Sequence, residues 1–288
     1  MVLYSYAGRV IALASQHGKE RVMTKPLWHG FGLTLRRAEQ VDTDAFGSFS
    51  GEQPRPSDAL TTCRLKAEAG MDALGLDLGI ASEGAFGPHP AVPLLPVGRE
   101  WITFVDRGRN LVISEQLVSR FTNFRSCTGT DPEAIAAWLG GVGFPSHGLM
   151  VQPHGGHGSG RAAWLAKGVH DPMRLAEVMA EAVRRSPLGL AWVETDMRAH
   201  CNPTRMASIR RLTVRLVRRV ASRCPSCAAP GWGLVDTRLG LPCRWCGLAT
   251  DLVRLEVFGC AACGHTSEQP RRDGITSADP GHCPYCNP

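Results

Sequence analysis

An α/β core built on a mixed sheet layered with helices, then a long basic helix, then a small C-terminal double zinc-ribbon-like domain: three features of the 288-residue chain predict this order. Over residues 1–200, short apolar runs of strand character alternate with segments of helical spacing, the pattern of a layered α/β domain. Residues 201–223 set an apolar stripe at helical spacing against arginines. Residues 224–288 contain four Cys-x-x-Cys pairs.

The elements follow in order. Gly8–Ser15 reads as a buried strand, and the polar turn Gln16-His17-Gly18-Lys19 follows it. Glu20–Phe31 has helical spacing interrupted by Pro26. Val41–Ser57, rich in Asp, Gly, Ser and Pro, reads as a loop. Asp58–Leu74 places Leu60, Cys63, Ala67 and Met71 on one helical face, with Ser57 as N-cap and Gly75 as stop. Leu76–Ser82 reads as a strand that ends at Glu83, and Glu100–Asp106 with Leu111–Glu115 as a hairpin about Gly108. A helix over Pro132–Gly140 precedes strands at Gly148–Pro153 and Ala162–Val169. Asp171–Arg185 is a helix with Asp171 as N-cap and Pro172 at its first position, Leu188–Thr195 a strand, and Asn202 the cap of a helix over Pro203–Ser222.

The cysteine pairs are Cys224/Cys227, Cys243/Cys246, Cys260/Cys263 and Cys283/Cys286, separated by 15, 13 and 19 residues. Two thiolates two residues apart hold one edge of a tetrahedral metal site, and two such pairs close it. Two structural Zn(II) ions are therefore expected. Sequential pairing, first with second and third with fourth, suits ribbon spacing, with cross-braced and nested pairings as alternatives. A disulfide framework would need an oxidising compartment. Met1–Glu20 has no signal-length apolar core, and no stretch approaches the roughly 18 apolar residues of a membrane span. The protein is expected to be cytoplasmic, with no membrane partner.

Charge is uneven along the chain. The net formal charge is +6, yet residues 198–223 hold eight arginines and no acid. Residues 224–288 hold five basic and six acidic side chains, and metal-bound thiolates would make that module more acidic still. A nucleic-acid contact, if the chain makes one, is thus expected at Arg205–Arg223 and not on the metal module.

Four constellations bear on chemistry. Ser15–Glu20 is a Gly-Lys turn after a strand, in which Lys19 and backbone N–H groups can meet an anion. Asp42 and Asp44, with Glu52 further along the loop, can hold Mg(II), or else form a cluster of Asx turns. Glu83 stands where open α/β sheets face their ligands. Trp192–Met206 gathers Glu194, Asp196, Arg198 and His200 within a few residues after an apolar strand, a density that a structural connection rarely needs.

The motifs VDTDAFGSFSGE, KAEAG, ASEGAFGPHP, WVETDMRAHCNPTRM and DPGHCPYCNP resemble those of a bacterial family known only as a domain of unknown function. Residues 8–110 also resemble, in element order, the inosine/xanthosine triphosphate pyrophosphatases: strand, Gly-Lys turn, helix ending in Lys-Ala, strand, acid-Gly turn. That resemblance implies that Lys19 contacts phosphate, that Lys66 lies in the helix, and that Glu83 is the acid that activates water, with Asp58 or Glu52 nearest to the first Mg(II)-binding acid. Gln16 stands where that family has Asn, and Glu83 where it has an Asp-Asp or Asp-Ser-Gly signature.

Three readings follow. The first is a Mg(II)-dependent hydrolase of a nucleotide or another phosphate-bearing small molecule. The second is a nucleic-acid-binding protein that uses the arginine-rich helix. The third is a non-catalytic zinc-ribbon adaptor.

Overall fold

The computed structural model describes residues 6–46, 57–89, 92–155 and 164–287. The chain divides into two compact units, Met1–Leu216 and Val217–Pro288, with the division inside the long basic helix.

The first unit holds two sheets. One has the order β2-β1-β3-β4-β5, with β1 Val10–Leu13, β2 Thr34–Arg37, β3 Leu78–His89, β4 Val92–Asp106 and β5 Leu111–Ser119. β1 pairs in parallel with both β2 and β3, while β3, β4 and β5 form an antiparallel meander, so the sheet is mixed. Parallel neighbours need crossovers. They are α1, Glu20–Phe31, between β1 and β2, and α2, Ala59–Leu74, between β2 and β3.

Packing explains where these elements depart from expectation. Pro26 sits inside α1 without ending it, because the buried stripe Met23, Leu27 and Phe31 holds the helix on either side of the lost hydrogen bond. Asp58, not Ser57, caps α2: its carboxylate accepts from the N–H groups of Leu60 and Thr61, where the helix end favours negative charge. Cys63, Ala67 and Met71 of α2 bury against Ala12, Ala81 and Val105 of the sheet. A Cβ on Gly79 would lie 2.5 Å from Met71 Sδ, so glycine permits this approach. Truncating Met71 to Ala should cost roughly 2–5 kcal/mol.

β3 does not stop at Ser82. Its pairing with β4 carries it through Gly84 and Gly87 to His89, so Glu83 lies within the strand and not at its end. Glycine read as a breaker is overridden here by a continuous antiparallel partner. The short edge strand β2 also lacks a sequence signal, since its four residues alternate with no buried position.

The second sheet has the order β6-β9-β7-β8, with β6 Ser126–Gly129, β7 Leu149–Pro153, β8 Ala166–Val169 and β9 Ala191–Thr195, all antiparallel. α3, Ala136–Val142, lies before β7, and α4, Pro172–Arg185, precedes β9. α4 buries Leu175, Val178, Met179 and Ala182 against Leu149, Val151, Val169, Ala191 and Val193. Strand alternation then puts Gln152, Trp192 and Glu194 on the opposite face. α5, Pro203–Ala221, follows, and Asn202 Oδ1 accepts from the Arg205 N–H at 2.9 Å as its cap.

The second unit is a three-stranded antiparallel meander of β10 Gly233–Leu239, β11 Val253–Gly259 and β12 Thr266–Pro270. Trp232 stacks on His265 at 5.5 Å and on Phe258 at 6.3 Å. Among the described residues, no helix is long and apolar enough to cross a membrane.

Candidate functional site

β1 ends at Leu13, opposite Ile80, while β3 continues beside it. The turn that follows uses Gly18 at φ 67°, and Lys19 comes next. The Lys19 side chain takes the place of the missing strand, its ammonium donating to the Ser82 carbonyl. Side chains alternate along β3, so Glu83 faces α2, where it forms a buried ion pair with Lys66. Glu100 of β4 lies directly across from Gly84 and pairs with Arg205 of α5 at 2.6 Å on the other face. A Cβ on Gly84 would come within 2.8 Å of both groups, so glycine leaves room for the pair. Arg205 also donates to the Met197 carbonyl at 2.5 Å and lies over the Phe86 ring at 5.3 Å.

Lys19 therefore sits between two buried ion pairs. Burial first, and then the like charge of Arg205, lowers its pKa to about 8. Burial also pushes the Glu100 carboxyl up, opposed by the Arg205 charge.

The segment before α5 adds further charged and aromatic groups near Lys19. Asp196 and Arg198 form a forked ion pair with contacts of 2.6–3.1 Å. Burial raises the Asp196 carboxyl, but the hydrogen bonds and charge of Arg198 outweigh it, and the net shift is downward. His200 stacks on His17, ring centroids 5.1 Å apart and planes 8° apart. Burial, followed by the Lys19 charge, lowers the His17 pKa to about 3; burial and then Arg198 lower that of His200. Both rings are thus neutral at pH 7, each offering one donor and one acceptor.

Asp44 lies in the 3-10 turn Thr43–Phe46. Burial raises its pKa, and Lys66, Asp42, Arg198 and Lys167 are the charges it feels. Asp42 accepts from the Asp44 N–H at 3.0 Å and from Gln16 Nε2 at 3.3 Å, an Asx turn joined to the Lys19 loop. Glu52 lies outside the described residues. Lys19, Glu83, Asp44, Asp196, Arg198 and His200 thus belong to one charged network. Glu194 joins it only through Asp196; its carboxyl, raised by burial, contacts Trp192 Nε1 at 3.5 Å.

Sequence reasoning missed Glu100 and placed Arg205 on a phosphate-contacting surface. Arg205 is instead almost fully buried. The signal was present: Arg205 precedes Ile209 by four residues and so falls on the apolar stripe, where a cation requires a carboxylate partner.

In the second unit the cysteines form two tetrads, Cys224/Cys227/Cys260/Cys263 and Cys243/Cys246/Cys283/Cys286. The first pair joins the third and the second joins the fourth, a cross-brace and not the sequential arrangement. The meander dictates it: β10 pairs Gly233 with Gly259 and Leu239 with Val253, so the first and third pairs meet at one end and the second lies at the other. Sequential pairing would need both ends of a seven-residue strand, roughly 20 Å apart, to share one ion. Sγ–Sγ distances of 3.6–3.9 Å match the edge of a tetrahedron with metal–sulfur bonds of about 2.3 Å, and are far too long for disulfides. Backbone N–H groups of Ser226, Trp245 and Ala262 point at Cys224, Cys243 and Cys260 sulfurs at 3.4 Å, which stabilises thiolate. Both tetrads can hold a metal ion. Among the described residues these are the only such groups; Asp42, Asp44 and Glu83 do not assemble into a third.

A family described as a domain of unknown function, DUF6671, matches residues 66–288. The chain belongs to that family. The matched region starts at Lys66 and takes in Glu83, Glu100, the Asp196–Arg205 segment and all eight metal-binding cysteines, while His17, Lys19 and Asp44 precede it. No curated protein and no solved structure matches the chain.

Proposed function

We propose that this DUF6671 protein is a hydrolase of a nucleotide or other phosphate ester, with the phosphate held beside Lys19. One observation carries the reading. Lys66, Arg205 and Arg198 are each matched to a carboxylate, whereas the buried Lys19 ammonium has only the neutral Ser82 carbonyl as a partner among the described residues. Glu83 and Glu100 attract it only through space and are already engaged by Lys66 and Arg205, so three buried cations share two carboxylates, and an anionic ligand would supply the direct partner. Ser82 Oγ, also buried and without a hydrogen-bond partner among the described residues, is a donor at the same level of β3. Arg198 and the neutral His17 and His200 can receive further phosphoryl oxygens.

Among the described residues Asp42 and Asp44 are carboxylates beside the Lys19 turn that form no ion pair, and they fit Mg(II), which commonly takes one or two carboxylates with water and substrate phosphate as its other ligands. Mg(II) there would neutralise phosphate charge and make a bound water more acidic. Purified protein with Mg(II) should release phosphate or pyrophosphate from a member of a nucleotide panel, and Lys19→Met and Asp44→Asn should each abolish release. A panel with no turnover and no phosphate-ligand binding overturns the reading. Zn(II) is the metal we assign to both tetrads, each closed and therefore structural, contributing roughly 10–16 kcal/mol to folding of its site.

A further inference from the structure

Two helices of the first unit are laced with opposite charges. α4 carries Arg174–Glu177, Glu181–Arg184 and Glu181–Arg185 pairs, and α2 carries Arg64–Glu68. α5 departs from that habit. Arg210, Arg211, Arg215 and Arg218 are exposed, and no carboxylate occurs anywhere in the helix. None of the four side chains makes an ion pair among the described residues, whereas Arg205 is buried on Glu100 and Arg219 turns to the Gly231 carbonyl at 3.3 Å.

At about 100° per residue, Arg211, Arg215 and Arg218 fall within about 60° of one another, in a line roughly 10 Å long. Like charges at this spacing destabilise a helix. The chain's general preference for arginine over lysine does not explain the missing acids. Arg210 and Arg211 lie mid-helix, too far from the C-terminus for the helix dipole to favour them.

We infer that the Arg211–Arg215–Arg218 line is a docking surface for a nucleic-acid backbone. The inference goes beyond the hydrolase reading and does not depend on it. A 10 Å line spans about three phosphates at 3.4 Å per nucleotide of duplex axis. An anionic membrane is the weaker occupant, because α5 has no apolar face to insert: Ile209, Leu212, Leu216 and Val220 are all fully buried.

The test is salt-dependent binding of a labelled 20-nucleotide single strand and of the matching duplex to the full-length, zinc-replete protein. Three phosphate contacts give a slope of log affinity on log salt of about −2 for the single strand and about −2.7 for the duplex. Between 50 and 200 mM salt this is roughly a 20- to 40-fold loss. R211A/R215A/R218A should flatten the slope and remove binding at 50 mM salt, while the triple lysine variant, which preserves charge and fold, should keep the slope. Lys19→Met should bind as the wild type does, which separates this inference from the proposed phosphate site at Lys19. Absence of binding at low salt, a flat wild-type slope, wild-type binding by the alanine variant, or equal competition by polyglutamate would each overturn it.

Discussion

His17 and His200 stack face to face, 5.1 Å between centroids, and tie the turn after β1 to the segment before α5 across the whole first unit of the sequence. The stack lies beside Lys19 and Arg198, so neither ring can readily accept a proton. A base with a depressed folded pKa stays neutral in the native state while the unfolded chain takes up a proton below its ordinary value of about 6.5. The unfolded state then binds more protons, and stability falls as pH drops from about 6.5 toward the folded pKa of about 3. His17→Gln should remove that part of the slope, so the stability gap between wild type and variant should narrow steadily over this window in urea titrations. Parallel curves would show that His17 is not held neutral.

Lys19 gives the opposite kind of readout, through a ligand. Its ammonium is retained below its pKa of about 8, so anion affinity should be level below pH 8 and weaken by up to tenfold per pH unit above it. Lys19→Arg should abolish this dependence, because a guanidinium stays charged. Lys19→Met should weaken binding of inorganic pyrophosphate by roughly 10- to 150-fold, the equivalent of a charge-assisted hydrogen bond of about 1.5–3 kcal/mol. Calorimetric titration across pH 6.5–9.5 checks all three.

The sequence revealed the periodic parts of this architecture and concealed the long-range ones. Asp171, Pro172 and Asn202 identified their helix starts because capping is local. Lys19 and Glu83 stood out because a charged residue next to glycine at the end of an apolar run is conspicuous. Glu100 opens a good strand and looks like a solvent-facing acid; only the antiparallel register that sets it across from Gly84, and the arrival of Arg205 from a helix far along the chain, make it a buried partner. The cysteine pairs announced metal sites, but their partnership depends on which strand ends the meander brings together.

Breaking the Glu100–Arg205 pair from one side should be costly. Arg205→Met leaves a buried carboxyl without its hydrogen-bonded cation, with only the through-space charge of Lys19 in its place, and about 3–5 kcal/mol of stability should be lost. Adding Glu100→Leu should recover much of it, since two apolar side chains no longer require compensation. A double-mutant cycle measured by denaturant unfolding reads the coupling, and additive losses would mean that the pair is not a unit.

The cross-brace can be tested by counting metal. Cys224 and Cys260 serve one ion, Cys243 and Cys283 the other. The wild type should carry two zinc ions, and C224S/C260S should keep one, because both changes fall on the same site. C224S/C243S should keep none, because each tetrad loses a ligand. Sequential pairing reverses the two results: C224S/C243S would then spare the second site, and C224S/C260S would damage both. Elemental analysis after dialysis against a weak chelator distinguishes them. Chelation strong enough to strip both ions should unfold the meander, whose sheet places only Val257 and Gly259 of β11 in a buried position and has little apolar core of its own.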